Sequence, residues 1–274
     1  MSKTAQTGYP NIDNHLDFNP GTFTLIGGFT SSGKTTLCAN LAIGAAFTGN
    51  KVLLMSLEES NDSTASRLIS NCTHVSFSHL LSPEHLSLLE RRRLFSFREK
   101  ESSEFSFLHR IQFQDDKPST MEEFKAHLLS QKDDIDLVII DHISYMPYEP
   151  DEKDYAEDQY IVIPRLQAIA KALEVPIIGT THLPLLDDRQ PHAPVTKDFI
   201  HFFEQDILPY TDNLISIYRP SLYSKDPSDA LQFQFNILKN NKDSQMYSFQ
   251  FDILPKYQIL AEAGELSSDS DIPF

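Results

Sequence analysis

With 274 residues, the chain is long for one compact domain and short for two, which favours a single α/β domain that carries insertions. Lys and Arg total 23 against 39 Asp and Glu, and the net charge of −16 opposes a general attraction to phosphate backbones or anionic membranes. Two cysteines exclude a disulfide framework and no apolar run approaches the roughly 20 residues of a membrane helix, so we expect a cytoplasmic protein with no membrane contact.

Apolar segments alternate with helix-like segments along the first two thirds of the chain, as in a parallel sheet that helices cover on both faces. The predicted strands of this part are 23–28, 51–57, 110–113, 136–140 and 175–180. The predicted helices are 34–47, 62–70, 83–97, 121–129 and an amphipathic helix that ends near Leu173. A hairpin or meander is predicted from strands without long helices between them, at 214–218, 231–238 and 247–253. We expect one domain over 1–263 and a disordered acidic tail over 264–274.

The first motif is GFTSSGKT, which lies between a predicted strand and a predicted helix and matches the phosphate-binding pattern G-x-x-x-x-G-K-[ST]. Its glycines permit a turn whose N–H groups face phosphate oxygens, and the helix N-terminus adds a partial positive charge. Lys34 is expected to reach the terminal phosphates and Thr35 to hold Mg²⁺. The alternative is a glycine-containing turn with an exposed lysine. The predicted nucleotide-binding residues of this segment are Gly28, Phe29, Thr30, Ser31, Ser32, Gly33, Lys34, Thr35 and Thr36.

Acidic residues after two predicted strands complete such a site. Asp141 ends the most apolar strand, where a Walker B aspartate orders the water shell of a metal beside Thr35; the alternative is a strand that simply stops at a polar residue. In the segment MSLEE, a glutamate would lie across from the γ-phosphate and orient the attacking water as a general base. Glu58 is the expected base, and the alternatives are Glu59 in that role or an acid that pairs with a helix dipole.

The order TGYPNID…GTFTLIGG, GFTSSGKT, MSLEE, DLVIIDHIS and VPIIGTTHL, followed by a C-terminal hairpin, resembles the RecA-like ATPase domain of DnaB-type replicative helicases. The resemblance extends from about Thr7 to about Leu260. It implies an α/β fold of the RecA-like P-loop NTPase class, with a mostly parallel central sheet, flanking helices and a C-terminal antiparallel hairpin. It also implies that ATP and Mg²⁺ are the cofactors and that Glu58 is the catalytic base.

The same resemblance implies roles for three further residues. Arg67, nine residues after Glu58, would lie near the nucleotide, unless it is a solvated helix arginine. His182 stands near the position of a glutamine that senses the γ-phosphate in the family; we expect its ring to donate to phosphate, and a capping histidine is the alternative. Lys239 matches the lysine of a K-x-R pattern that completes the catalytic site of a neighbouring subunit.

The chain departs from the family pattern at positions that support fast hydrolysis and ring assembly. Asn241 stands where the arginine of the K-x-R pattern is expected and cannot supply its charge, so we expect slow hydrolysis. Lys242 either compensates or is an exposed turn lysine. Only residues 1–6 precede the matching TGY, so we expect no segment that clasps a ring, and a homo-oligomer would form weakly or with ATP, DNA or another protein.

The charges of the two loops that would face DNA weaken the expected contact with single-stranded DNA. Residues 149–158 carry six acids and one lysine, and residues 187–198 carry three acids, Arg189 and Lys197. Because Lys and Arg normally supply most nonspecific DNA affinity, a basic protein partner is a second candidate. We interpret the basic stretch 91–98 as a solvated helix face or a partner for the acidic loops, with a nucleic-acid or protein contact as the alternative.

These observations leave three functions open. The leading hypothesis, which rests on the resemblance, is a DnaB-like helicase or ATP-driven DNA translocase that acts in replication or recombination. The main alternative is a regulatory ATPase that switches assembly or protein partners without unwinding DNA, which the acidic loops favour. A small-molecule phosphotransferase is less well supported, because the sequence has no arginine-rich segment to close over an acceptor.

Overall fold

An alternation of strands and helices precedes a run of antiparallel strands in the computed structural model, which describes residues 4–114, 117–147, 161–183, 207–243 and 245–264. The strands of the alternating part are β1 Phe23–Gly28, β2 Val52–Ser56, β3 Ile111–Phe113, β4 Leu137–Asp141, β5 Ile177–His182 and β6 Asn213–Tyr218. The helices are α1 Pro10–Asp13, α2 Lys34–Phe47, α3 Asn61–Thr73, α4 Phe77–Leu81, α5 Leu88–Lys100, α6 Met121–Ser130 and α7 Ile163–Leu173. The last strands are β7 Gln232–Lys239, β8 Tyr247–Leu254 and β9 Ile259–Glu262.

These strands form one sheet in the order β3-β2-β4-β5-β1-β6-β7-β8-β9. Neighbours from β3 to β6 in this order pair in parallel, and neighbours from β6 to β9 pair antiparallel. The predicted fold class is therefore confirmed: a mostly parallel sheet flanked by helices, with antiparallel strands at its C-terminal side.

The register of the parallel strands brings several candidate residues to one edge of the sheet. Gly28 of β1 pairs with His182 of β5, and Ser56 of β2 pairs with Asp141 of β4. Ligands of open α/β sheets bind at the carboxyl ends of such strands. We call this edge the cleft edge. The opposite edge, where β6 begins and β7 ends at Lys239, is the far edge.

Helices cover both faces of the sheet and create two apolar clusters. Phe23 and Leu25 of β1 belong to the cluster that includes α6 and α7, whereas Ile26 belongs to the cluster that includes α2. Successive side chains of a strand point to opposite faces, so one strand supplies both clusters. β4 is buried along its whole length, which explains its continuous apolar sequence.

Helix α5 begins later than the sequence pattern predicts. Residues Pro83–His85 form a separate 3₁₀ turn, and α5 starts only at Leu88. Ser87 and Glu90 bond reciprocally at this start: Ser87 Oγ accepts the Glu90 N–H at 3.2 Å, and the Glu90 carboxylate accepts the Ser87 N–H at 2.9 Å. Such a capping box satisfies N–H groups that have no partner inside the helix. The prediction of one helix over 83–97 was wrong in this respect.

The remaining predicted elements agree with the structure to within a few residues, and α2 has the predicted bounds. The sequence pattern did not predict α1, α4 or β9. Within the basic stretch, Arg91 and Arg92 are exposed, and Arg93 donates to the His74 carbonyl oxygen at 2.7 Å. None of the helices in the described ranges combines the length and the apolar character needed to cross a membrane.

Some of the predictions fall on residues that the structure does not describe. The acidic loops 149–158 and 187–198, with Arg189 and Lys197, lie outside the described ranges, as does the tail beyond Gly264. The expectations for these segments, and for a single domain over 1–263, stay predictions.

Candidate active site

The loop between β1 and α2 has a backbone that depends on small residues. Gly33 (φ +102°) and Ser31 (φ +63°) both adopt the left-handed conformation, which glycine reaches at least cost. A Cβ atom on Gly28 would lie 2.5 Å from Ser32 Oγ and 2.7 Å from Ile217 Cγ1. Gly33 is the N-cap residue of α2, so no capping side chain occupies the N-terminus of this helix, where N–H groups favour an anion.

Lys34 is folded back onto this loop. Its side chain is buried, and Nζ donates to the carbonyl oxygens of Gly28 at 2.9 Å and Phe29 at 3.0 Å. His182 Nδ1 lies 3.1 Å from the same nitrogen. Burial lowers the pKa of Lys34 to about 8, although nearby carboxylates act to raise it. A desolvated ammonium of this kind gains interaction energy when a phosphate approaches.

Asp141 holds a buried carboxylate at the end of β4. Its Oδ1 accepts the Thr180 hydroxyl at 2.6 Å. Burial raises the pKa of Asp141, against the lowering effects of Thr180, of the nearby Thr35 hydroxyl and of the charge of Lys34. Asp141 Oδ2 has no hydrogen-bond partner among the described residues. A buried oxygen in this state is destabilising until a cation or water binds it, and with Thr35 it forms the oxygen ligand set that Mg²⁺ prefers.

The two adjacent glutamates after β2 have different surroundings. Glu58 is exposed at the cleft, and in the described part of the chain no hydrogen bond holds its carboxylate. Glu59 is half-buried and accepts from Ser63 Oγ at 2.9 Å and from Arg67 Nε at 2.9 Å. Burial raises the pKa of Glu59, but the hydrogen bonds and charge of Arg67 lower it below its ordinary value. Both glutamates line the cleft, but among the described residues only the Glu59 carboxylate is held by hydrogen bonds.

Arg67 lines the cleft, but its guanidinium is bound by protein groups. Besides the two bonds to Glu59, its Nη1 donates to Gln258 Oε1 at 2.5 Å. Its guanidinium carbon lies 4.3 Å from the centre of the Phe77 ring. Arg67 is therefore not a solvated helix arginine, and its predicted place near the nucleotide stays a prediction.

His182 ends β5, and its ring packs at a tilt against that of His142. The ring of His142 lies 4.3 Å from that of His182, at an interplanar angle of 37°. His142 is fully buried, and its Nδ1 accepts the Ser144 N–H at 3.3 Å, so a neutral His142 carries its proton on Nε2. Burial, followed by the charges of His182 and Lys34, lowers the pKa of His142 to about 3. His142 therefore stays neutral beside Lys34.

A cleft of about 360 Å³ joins these residues. It is lined by Thr30, Ser31, Gly33, Lys34, Thr35, Thr36, Glu58, Glu59, Arg67, His182, Arg219, Pro255 and Gln258. Two other predicted loop residues, Gly28 and Phe29, accept hydrogen bonds from Lys34 with their carbonyl oxygens. Ser32 is buried, and its hydroxyl has no partner within the described ranges.

Sequence reasoning missed four residues of this region: His142, Arg219, Pro255 and Gln258. His142 directly follows Asp141, so its proximity could have been read from the strand end. Gln258 accepts a hydrogen bond from Thr36, which is 222 positions away in the sequence. A contact between such distant positions cannot be predicted from a local sequence pattern. Arg219 and Pro255 reach the cleft in the same way, because β6 and β8 end at the cleft edge.

Lys239 does not line the cleft of its own chain and lies at the far edge of the sheet. Lys239 pairs with Leu214 at the far edge, and its Nζ donates to the carbonyl oxygens of Leu208 at 2.7 Å and Thr211 at 2.5 Å. The Asn241 N–H donates to Asn213 Oδ1, and Lys242 lies 3.4 Å from an Asp17 carboxylate oxygen. The role of this segment at a neighbour's site stays a prediction.

The sequence matches a family model over most of its length. The model is that of the DnaB-like helicase C-terminal domain, and the match covers residues 5–260.

Curated relatives are longer proteins. The replicative DNA helicase DnaB of Helicobacter pylori strain J99 is 26% identical over 230 residues, which cover 81% of this chain and 45% of the helicase. A probable plasmid replicative DNA helicase of Chlamydia trachomatis serovar L2 is 27% identical over 200 residues, which cover 70% of this chain and 42% of that protein. The chain thus spans less than half the length of these relatives.

Solved structures share the fold. A DnaB-like replicative helicase, whose structure was described with its interactions with primase, has a TM-score of 0.80 and 17% identity, covering 95% of this chain and 62% of that one. A separately solved ATPase domain has a TM-score of 0.78 and 19% identity, covering 95% of this chain and 92% of that domain.

Proposed function

Because this chain belongs to the family of DnaB-like helicase C-terminal domains, we propose that it binds Mg-ATP in the cleft and transfers the γ-phosphoryl group to water. The observation that carries the proposal is the convergence, at one helix N-terminus, of a buried lysine and a buried carboxylate oxygen without a described partner. A triphosphate and a divalent cation would satisfy both groups.

In this proposal the loop and Lys34 hold the phosphates. The N–H groups at the start of α2 bind phosphate oxygens, and Lys34 exchanges its carbonyl bonds to Gly28 and Phe29 for the terminal phosphates. Thr35 and Asp141 hold Mg²⁺ and its water shell. Held by these two residues, a divalent cation would supply positive charge beside the phosphoryl group during transfer.

Glu58 acts as the general base. Its exposed carboxylate takes a proton from a water molecule as the water oxygen bonds to the γ-phosphorus. The bond from the γ-phosphorus to the bridging oxygen breaks, and ADP leaves with that electron pair. His182, at hydrogen-bond distance from Lys34, exchanges this contact for the γ-phosphate and reports whether it is present.

For the biological role, we propose a cytoplasmic DNA helicase or translocase that works in replication or recombination as a homo-oligomer on single-stranded DNA. Support comes from relatives that are named as replicative helicases. A regulatory ATPase that switches assembly or a basic protein partner is the second candidate, and the six acids in residues 149–158 favour it. In an oligomer, Lys239 would act on the neighbouring subunit, and Asn241 in place of arginine would keep hydrolysis slow.

Phosphate release by a matched pair of variants tests the catalytic proposal. We expect Glu58→Gln to lower kcat by about 10²–10³ while Mg-ATP still binds, because only the base is removed. Glu59→Gln, one position away with the same change in charge, should have a smaller effect. Full turnover by Glu58→Gln would show that another group activates water.

The same assay with single-stranded DNA at low salt separates the two biological roles. A translocase hydrolyses ATP faster when it moves along DNA, so stimulation supports that role. An unchanged rate over a range of low salt concentrations would favour the regulatory ATPase, provided that the protein turns over ATP without DNA.

A further inference from the structure

We propose that Gln258 is a positioning residue for hydrolysis: through Arg67 it fixes Glu59 on α3 and so directs Glu58 into the cleft. This inference rests on the proposed role of Glu58 as the base. Gln258 lies in the turn between β8 and β9, in a part of the chain for which the sequence predicted no role in the site.

The backbone of Gln258 is held by two helices at once. Its carbonyl oxygen accepts from Asn40 Nδ2 of α2 at 2.8 Å and from Asn71 Nδ2 of α3 at 2.9 Å. Gln258 adopts a left-handed conformation with φ +57°, and only 5% of its surface is exposed. The turn is therefore fixed relative to both helices that border the cleft.

The side-chain amide of Gln258 has one orientation that satisfies all its bonds. Nε2 donates to the Pro255 carbonyl oxygen at 2.5 Å, which leaves Oε1 as the acceptor on the other side. Oε1 accepts from Thr36 Oγ1 at 2.8 Å and from Arg67 Nη1 at 2.5 Å. One buried oxygen thus links the helix that follows the phosphate loop to Arg67.

Arg67 is clamped between this oxygen and Glu59. Its Nε and Nη2 bind the two carboxylate oxygens of Glu59 side by side, and the Phe77 ring packs against the guanidinium plane. Bidentate pairs of this geometry fix the orientation of both partners. Glu59 is also held by the Ser63 hydroxyl.

This arrangement places the two adjacent acids of the sequence motif in different surroundings. With Glu59 tied to α3, the next residue towards β2, Glu58, projects into the cleft, and no described residue bonds its carboxylate. Without the Gln258 oxygen, Arg67 loses one side of its clamp, and the Glu59 carboxylate loses its fixed position. Water activation then suffers. Thr36 loses the acceptor of its hydroxyl, but Lys34 makes its bonds to Gly28, Phe29 and His182 and none to Gln258, so kcat should fall while KM changes little.

The test compares Gln258→Met, which has a similar length and no acceptor oxygen, with Gln112→Met on the exposed face of β3. We expect Gln258→Met to lower kcat by about tenfold with KM for ATP nearly unchanged, because misplacing a catalytic group by about an ångström is costly. Gln112→Met should match the unaltered protein. A rise in KM at constant kcat would overturn the proposal, since it would mean that Gln258 binds the nucleotide directly.

A double-mutant cycle tests the route through Glu59. If Gln258 acts by fixing Glu59, then Gln258→Met should lower kcat little further once Glu59→Gln is present. Independent, multiplying effects would overturn the proposal. Should Gln258→Met fail to fold, Arg67→Lys takes its place: it keeps the charge, loses the bidentate fork, and should give the same fall in kcat.

The two proposals fail in different ways. If Glu58→Gln keeps full turnover, the proposed base is wrong. If Glu58→Gln is inactive and Gln258→Met has the kcat of the unaltered protein, the base is right and the positioning role of Gln258 is wrong.

Discussion

The cleft edge and the far edge of the sheet each hold a lysine that donates to two backbone carbonyls, yet their surroundings differ. Lys34, at the cleft edge, lies beside Asp141, whose Oδ2 has no partner among the described residues, and feels the charge of the exposed Glu58. Lys239, at the far edge, feels the charge of Asp212, and it is not among the described residues that line the cleft.

The difference shows that the bonds of a buried lysine do not by themselves reveal its purpose. An unsatisfied buried polar atom costs about 1–3 kcal/mol, and folding alone gives no reason to retain it. At the cleft edge, the proposed Mg-ATP would offset this cost. At the far edge, Lys239 donates hydrogen bonds to two backbone carbonyls of the segment before β6. These bonds stabilise the fold of a single chain.

The largest effect expected from this comparison is on nucleotide affinity. Lys34→Ala should weaken Mg-ATP binding by about a hundredfold, because a charge-assisted bond to phosphate in a desolvated site is lost. Lys239→Ala should leave the affinity of an isolated chain unchanged. Calorimetric titration with Mg-ATP measures both. An equal loss of Mg-ATP affinity in the two variants would contradict the assignment of the nucleotide site to the cleft edge.

For the free energy of unfolding, we expect a larger effect from replacing Lys239 than from replacing Lys34. Lys239→Met removes a donor from the carbonyls of Leu208 and Thr211, of which the Leu208 carbonyl keeps only the long bonds from Thr211, and should lower the free energy of unfolding by about 2 kcal/mol. Lys34→Met removes a charge that burial disfavours and should destabilise the protein less. Urea unfolding of the nucleotide-free proteins gives both values, and a larger loss for Lys34→Met would contradict the comparison.

The smallest effect concerns pH. Burial places the pKa of Lys34 at about 8 in the free protein, and a bound phosphate raises it, so binding takes up a proton where Lys34 is neutral. ATP affinity should therefore fall by about tenfold from pH 7 to pH 9. Titrations in buffers of different ionisation enthalpy should show the uptake. The dependence should vanish in Lys34→Ala and persist in Lys239→Met.

The sequence predicted best where a motif is local. Gly33 and the Gly49-Asn50 pair bound α2, and its predicted and observed ends coincide. The signal for the start of α5 was also local, because Ser87 and Glu90 have the spacing of a capping box, but the preceding Pro83 suggested an earlier start. The strand ends at Asp141 and His182 were predictable because parallel strands align their carboxyl ends.

The sequence could not assign what depends on packing between distant segments. Arg67 binds Glu59 and not Glu58, and Arg67 also donates to Gln258, which is 191 positions away. No periodicity or motif records such a contact. His142 is buried against His182 only because β4 and β5 are neighbours in the sheet.

Strand β8 joins the two edges of the sheet. Its first residue, Tyr247, pairs with Ile237 near the far edge, and its last, Leu254, leads directly into the turn that carries Gln258. Eight extended residues span about 26 Å. Strand β8 therefore connects the β7–β8 hairpin at the far edge to the wall of the cleft, and in the proposed oligomer a displacement of that hairpin would reach the turn that carries Gln258.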